Sequence, residues 1–452
     1  MHSIDDSRAS SRRIRKSLHL AALEKLLPDE EIEAFCRDVQ HKWRDRKLPP
    51  GVTVRSMVHR GLHPDHSIAA MLADLAARLG PDVKPPTDAA WCQARSRLPE
   101  TVLVELIFRR ALECRERFGG AHRWHGRWVF RVDGSTVSMP DEPALVKAFG
   151  KPKTRHGPGR FPLARVTFVE LAGLDVIWNY RLDEYTCSEE WQLYDMWHVL
   201  PKDCICLLDR KFCSFYALAK LRRRRVFAVT PLNAVRDPHK LIRLGRQIGK
   251  NEWIVSLNLC PQLRRQYNDP TLPRILRVRL IRVKYVRGSK THILWLVTTM
   301  MDPTEYPAAE IAKLYRTRWC IETRIGALKT TLEMNVLRSK SVNAVRREVA
   351  SIILGHNLVW MLVHEAAEKA GIVAEDISFA GAVKTVMAFS SELRQCEGEQ
   401  WRKLYNHMLD QIAANTNHHP FDRVEPRLIK RETARFAYLR EPRWKARQKC
   451  LT

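Results

Sequence analysis

A chain of 452 residues, 45% hydrophobic and 28% charged, can bury a large core and hold two or three domains, which excludes a disordered tail. Its formal net charge of +27, from 77 Lys+Arg against 50 Asp+Glu, is spread along the length and favours polyanions. Nucleic acid is the first such partner, because basic side chains displace counterions from phosphates. A membrane surface is not: no basic amphipathic helix has a broad apolar face, and the most apolar stretch, Ser351–Val363, is too short to span a bilayer.

Residues 1–120 read as a basic helical region. SIAAMLADLAARLG from Ser67 has helical apolar spacing and ends at Gly80; PDVKPP breaks the chain, and Thr87 is placed to cap a second helix, DAAWCQARSRL, before Pro99. Helix, turn, helix could set Arg95 and Arg97 in a DNA groove, or belong to a small bundle. From residue 121 the period changes. GRWVFRVDGSTVSM, PLARVTFVELA and DVIWNYRL predict three strands of a meander. SEEWQLYDMWHVL predicts a helix, and CICLL, Cys204–Leu208, a strand apolar on both faces and therefore buried and parallel. KFCSFYALAKLRRRR predicts a helix and VFAVTPL a further strand. Three antiparallel strands followed by an α/β alternation are the order of an RNase H-like core, placed here at 121–231.

Residues 232–305 break that order. NEWIVSLNL, LRVRLIRVKYV and THILWLVTTM are strand-like with no helix between them, which predicts an inserted β subdomain. Residues 306–375 supply the helices that complete the core. Among them, VNAVRREVASIILGHNLVWMLVHEAAEKA repeats apolar residues at Val342, Val345, Val349, Ile352, Val359 and Val363, a long helix expected to cover one face of the sheet. Residues 376–452 read as a helical, basic C-terminal region, with ten Lys+Arg against four Asp+Glu from Phe421 on. The expected fold class is α/β: an RNase H-like mixed-sheet core with an inserted β subdomain, flanked by helical N- and C-terminal regions.

Eleven cysteines without a C-x-x-C pair argue against zinc ribbons and disulfide frameworks and suit a reducing cytoplasm. His122 with His125, and His418 with His419, lack cysteine partners at metal spacing and read as surface or DNA-facing residues. Acids are more informative. In YRTRWCIETRIGALK a single carboxylate, Glu322, stands among Arg316, Arg318, Arg324 and Lys329. On one continuous helix at about 100° per residue, Tyr315, Arg318, Glu322 and Lys329 share an arc of about 60°. They border a core-facing strip of Ile321, Ile325, Leu328 and Leu332. An ordinary solvated face with an Arg318–Glu322 pair would look the same.

Asp133, in the first strand, and Asp209, ending the buried strand, lie where functional groups collect in open sheets. Singly each has a plain reading, Asp133-Gly134 as a turn and Asp209 as an N-cap. An RNase H-like sheet, however, sets its first strand beside its fourth, and two adjacent carboxylates repel unless a cation separates them. Mg²⁺ suits such a set, with Glu322 as a third ligand.

The chain resembles the IS4 family of insertion-sequence transposases, DDE enzymes with an RNase H-like core. The family's signature of Tyr, two residues, Arg, three residues, Glu, six residues, Lys is matched at every spacing by Tyr315, Arg318, Glu322 and Lys329. VDGSTVSMPD and LLDRKFCSF resemble the contexts of its first and second aspartates, and QARSRLP from Gln93 and RVEPRLIKR from Arg423 its terminal segments. Thr230 and Pro231 stand where the family carries an arginine, and Trp253 and Trp295 are candidates for base stacking or for burial.

The resemblance implies that Asp133, Asp209 and Glu322 are catalytic and bind two divalent ions about 4 Å apart, Mg²⁺ with Mn²⁺ substituting. It implies that Tyr315, Arg318 and Lys329 grip DNA phosphates. The implied activity is cut-and-paste transposition of double-stranded DNA, through hairpin ends, by a homodimer bound to terminal inverted repeats, in a bacterial cytoplasm and associated with the nucleoid. A metal-dependent nuclease that does not join strands, and a non-catalytic DNA-binding regulator, are the competing functions.

Overall fold

The structure is a computed structural model and describes residues 25–43, 48–63, 68–79, 84–155, 157–287, 290–393 and 395–417, with 444, 445 and 448. The segment RVEPRLIKR and the His418–His419 pair lie outside the described residues. Along the chain, helices α1 (Asp29–Asp38), α2 (Pro50–Leu62), α3 (Ile68–Leu79), α4 (Asp88–Arg97) and α5 (Glu100–Phe118) precede strand β1 (Val129–Ser138). Helix α6 (Pro143–Phe149), strands β2 (Leu163–Leu171) and β3 (Val176–Glu184), helix α7 (Glu189–Met196), strand β4 (Ile205–Leu207), helix α8 (Phe215–Arg223) and strand β5 (Phe227–Pro231) follow. Strands β6 (Arg246–Gly249), β7 (Glu252–Asn258), β8 (Ile275–Arg287) and β9 (Lys290–Thr298) lead to α9 (Ala308–Arg316), α10 (Trp319–Thr330), α11 (Val342–Ala370), α12 (Phe379–Leu393) and α13 (Gly398–Ala414). Two compact units result. A mixed unit takes Gly119–Ser135 and Arg165–Ile325, and a helical unit takes the residues up to Phe118, Thr136–Ala164 and those from Gly326 on.

The mixed unit is built on a nine-stranded sheet of order β3-β2-β1-β4-β5-β9-β8-β7-β6. Ala172, just past β2, donates to the Val129 carbonyl that opens β1, so these two strands run antiparallel. β1 pairs parallel with β4, and β4 parallel with β5. The order 3-2-1-4-5 with this change of direction is that of an RNase H-like core. Ile205, Cys206 and Leu207 of β4 are fully buried, as expected of a strand apolar on both faces. One face carries Val129, Ile205, Leu207, Val229 and Leu296, packed with Ile311, Leu314 and Tyr315 of α9. The residues between 232 and 305 are β-rich as expected. Their strands join the core sheet through the antiparallel β5–β9 ladder, and two short helices, Pro238–Arg243 and Pro261–Tyr267, interrupt them where the sequence suggested none.

In the helical unit, Thr87 caps α4 as its position suggested, its hydroxyl accepting from the Ala90 N–H at 3.2 Å. Helix α11 is long and apolar enough to cross a membrane, yet it is a buried core helix. It packs against α2, α5, α12 and α13, so it is the axis of this unit. A Cβ on Gly61 would lie 3.3 Å from Ile352 Cα, and one on Gly355 3.1 Å from Leu62 Cδ2, so α2 and α11 meet closely over two glycines.

Candidate active site

Two strands bring the aspartates together. The β1–β4 register runs Val129↔Ile205, Phe130↔Cys206 and Arg131↔Leu207, and continued by two residues it sets Asp133 opposite Asp209. Side chains alternate along a strand, so Asp133 shares the face of Val129, and Asp209 that of Leu207, the face on which α9 packs. Asp209 occupies the N-cap of a short 3-10 turn, Arg210–Phe212, but its side chain makes no capping bond there. No hydrogen bond or ion pair ties its carboxylate among the described residues. Its backbone is pinned instead: Thr230 Oγ1 donates to the Asp209 carbonyl at 2.9 Å, and Tyr315 Oη to the Leu208 carbonyl at 3.2 Å.

The signature residues do not share one helix. Hydrogen bonds from Thr317 to Leu314, Arg318 to Tyr315 and Cys320 to Thr317 replace the α-helical pattern with i→i−3 steps, and the chain breaks between α9 and α10. The expected single polar stripe is therefore split, with Tyr315 on α9, Glu322 on α10 and Arg318 at the joint. Thr317 assists the break, its hydroxyl donating back to the Leu314 carbonyl at 2.8 Å. Tyr315 is buried, with its hydroxyl directed to the strand end that carries Asp209. Lys329 lies in the last turn of α10.

Arg318 is the hub. Its Nη1 lies 3.4 Å from Asp133 Oδ2, and its Nη2 donates to Glu322 Oε1 at 2.7 Å. One guanidinium thus links the first carboxylate to the third. Burial pushes the Asp133 carboxyl above its ordinary value; the Gly134 N–H, 2.9 Å away, and Arg318 pull it back, while Glu322 and Glu189 push it further up. Among the described residues no three acidic, histidine or cysteine side chains stand close enough to hold a metal ion as placed. The donor chemistry of Asp133, Asp209 and Glu322 still fits a hard divalent cation, since all three are carboxylates, one on β1 and one just past its parallel neighbour β4. A positive charge already sits between Asp133 and Glu322, on Arg318.

Glu189, the first residue of α7, escaped the sequence reading. It is 8% exposed, takes Arg165 Nη1 at 2.7 Å and lies 3.6 Å from Lys211 Nζ. A Cβ on Gly134 would come within 2.4 Å of its carboxyl carbon, so this glycine makes room for a fourth carboxylate beside Asp133. Trp253 and Trp295 are half-buried and pack on one another with ring centroids 5.8 Å apart. His125 binds Glu310 Oε2 at 2.7 Å.

Beneath the site lies a buried group of charges. Arg131 contacts Glu170 and Asp175, Arg324 contacts Asp175, and Glu170, Asp175 and Arg131 are almost wholly buried. Burial pushes the Glu170 carboxyl up to about 7, Arg131 and Arg324 opposing and Asp175 adding to the rise. An unfolded chain releases this proton near the ordinary 4.5, so between the two values the folded chain binds more protons and stability falls as pH rises. Thermal melts across that window should therefore decline more steeply in the wild type than in Glu170→Gln.

Residues 124–358 match the family described as transposase DDE domain, and residues 17–109 the one described as insertion element 4 transposase N-terminal. The chain is similar to the transposase InsG for insertion sequence element IS4 of Escherichia coli strain K12, 25% identical over 355 residues that cover 76% of each. It is also similar to a putative transposase, InsZ, of the same organism, 29% identical over 142 residues, 30% of this chain and 46% of that one. Among solved structures, a cryo-EM piggyBac transposase synaptic complex with hairpin DNA aligns with a TM-score of 0.42 and 11% identity, covering 88% of this chain and 85% of that one.

Proposed function

Because the chain belongs to the IS4 family of DDE transposases, we propose that this DNA transposase binds the terminal inverted repeats of an insertion sequence and moves it by cut-and-paste through hairpin ends. The observation that supports this most is that Arg318 joins Asp133 to Glu322, with Asp209 two residues past the end of β4, the parallel neighbour of β1. A DDE domain implies a divalent metal, and in this reading Asp133, Asp209 and Glu322 hold it, as Mg²⁺ or Mn²⁺. Bound there, the metal supplies a lowered pKa for water and charge stabilisation for the departing 3′ oxygen.

The chain's own residues then position the DNA. Arg318 carries the positive charge that Asp133 and Glu322 need in the cation-free chain, and it is the side chain that turns toward a phosphate when another cation neutralises them. Tyr315 holds the end of β4, and so Asp209, through the Leu208 carbonyl. Lys329 grips a phosphate of the element end. Hydrolysis there frees a 3′-OH, which attacks the opposite strand to close a hairpin. Water opens the hairpin, and the same 3′-OH attacks target DNA. Two ends must be paired for this, by a homodimer working in the bacterial cytoplasm. Lys329→Ala should weaken binding to element ends and reduce the slope of log affinity against log salt by about one, read by titration at several ionic strengths.

The test uses the gene's own flanking DNA on a supercoiled plasmid, with and without Mg²⁺. Metal-dependent hairpins and joined products support transposition. Nicks that never join would point to a nuclease, and retarded DNA without cleavage to a regulator.

A further inference from the structure

We propose that Asp175, buried in the β2–β3 turn, is a positioning residue that fixes the strand carrying Asp133 against the helix carrying Glu322; this rests on the assignment of those two acids above. Asp175 lies in the β2–β3 turn, 1% exposed, in a left-handed conformation with φ of 55°. An aspartate is among the few residues that adopt this backbone readily. Its Oδ1 takes Arg131 Nη2 at 3.2 Å, and its Oδ2 takes Arg324 Nη2 at 2.6 Å.

Each partner is two residues from a site carboxylate. Arg131 and Asp133 leave the same face of β1, since strand side chains alternate. Arg324 and Glu322 are about 200° apart around α10, so the arginine turns inward when the glutamate turns out. Arg131 Nη1 also donates to the Thr317 carbonyl, at 3.3 Å, in the joint between α9 and α10. Glu170, 3.3 Å from Arg131 Nε, supplies the second acid that balances the two guanidiniums. A strand, a turn and the two ends of a helix break are thus locked by charges inside a low-dielectric core, where an ion pair is stiff and loss of one member leaves the other unpaired. Supporting groups of this kind set the precision of the residues they hold.

The experiment is Asp175→Asn, which keeps size and loses charge, read three ways: hydrogen exchange of the α10 amides, Mn²⁺ binding by calorimetry, and single-turnover cleavage of element-end DNA. Expected are faster exchange confined to α9–α10 and β1, Mn²⁺ affinity about tenfold weaker, and cleavage slowed by about tenfold to a hundredfold at unchanged DNA affinity. If Asp175→Asn does not fold, Arg324→Lys is read the same way. A variant with a lowered melting temperature but wild-type α10 exchange and Mn²⁺ affinity overturns the proposal, leaving Asp175 a purely stabilising residue. Glu322→Gln is run in parallel: if it cleaves like wild type, the site assignment has failed, which is distinguishable because the exchange readout does not depend on it.

Discussion

Asp209→Ala should abolish cleavage of element-end DNA while leaving the fold and DNA binding intact. Under the proposed assignment a metal held by this acid would contribute several kcal/mol of charge stabilisation, and at about 1.4 kcal/mol per tenfold its loss would slow the reaction on the order of 10³-fold or more. The structure makes Asp209 the cleanest of the three acids to remove. Its side chain makes no capping bond and its backbone is held by Thr230 and Tyr315, so the substitution leaves no partner stranded. Asp133→Ala, by contrast, deprives Arg318 of one of its two carboxylates. Melting curves, DNA titrations and single-turnover cleavage on both variants measure the difference. Cleavage at the wild-type rate by Asp209→Ala would remove it from the site.

The second large effect is expected at Gly134. A methyl group there would lie 2.4 Å from Glu189 Cδ and 2.5 Å from Glu189 Cγ, and Glu189 is held by Arg165 at 2.7 Å. Gly134→Val must therefore either expel a nearly buried carboxylate from its ion pair or displace β1 next to Asp133. Overpacking alone costs about 1–3 kcal/mol, and breaking a buried pair adds to it. Cleavage should fall by about a hundredfold, because a misplacement of about 1 Å at reacting groups has that effect. Chemical denaturation and cleavage rates test both parts. Glu189→Ala added to Gly134→Ala should cost less stability than the two single changes summed, which identifies the clash as the cause. Gly120→Ala, whose added methyl meets nothing within 4 Å, should change neither quantity.

The elements that carry the aspartates were legible because their sequences are unambiguous. CICLL is too apolar for anything but a central strand, and the strands before it have the β-branched and aromatic content of a meander, so the β1–β4 pairing followed from the order alone. The break at Thr317 was not legible. Neither proline nor glycine marks it, the apolar period runs through it, and the i→i−3 bonds that cause it are favoured by packing on the sheet. Arg318 was legible as an i,i+4 partner of Glu322 and, through the resemblance, as a phosphate ligand, but nothing in YRTRWCIETR says that Asp133, far back in the chain, would be its other carboxylate. Glu189 was hidden for the same reason: its value lies in facing a glycine that looked like a turn. Asp175 stands at the head of the predicted strand DVIWNYRL with nothing to single it out, and only the folded chain shows two arginines converging on it. The apolar period of α11 gave its burial correctly but not its helical partners, because a strip of valines and isoleucines fits helices as well as strands.

The strand order also decides when, during synthesis, a working site can exist. β1 emerges early, but its parallel neighbour β4 comes only after β2, β3 and α7, and β5 waits for β9 to close its other edge. Pairings so distant along the chain form slowly, and the ribosome delivers the N-terminal helices first. Asp133 is thus made long before anything can hold it in place, and α10 is among the later pieces to arrive. A polypeptide cut short anywhere up to Thr317 lacks Arg318 and Glu322 together. Under the proposed assignment, premature termination gives a product without its third carboxylate at every length up to that helix, so no such truncated chain carries the complete site.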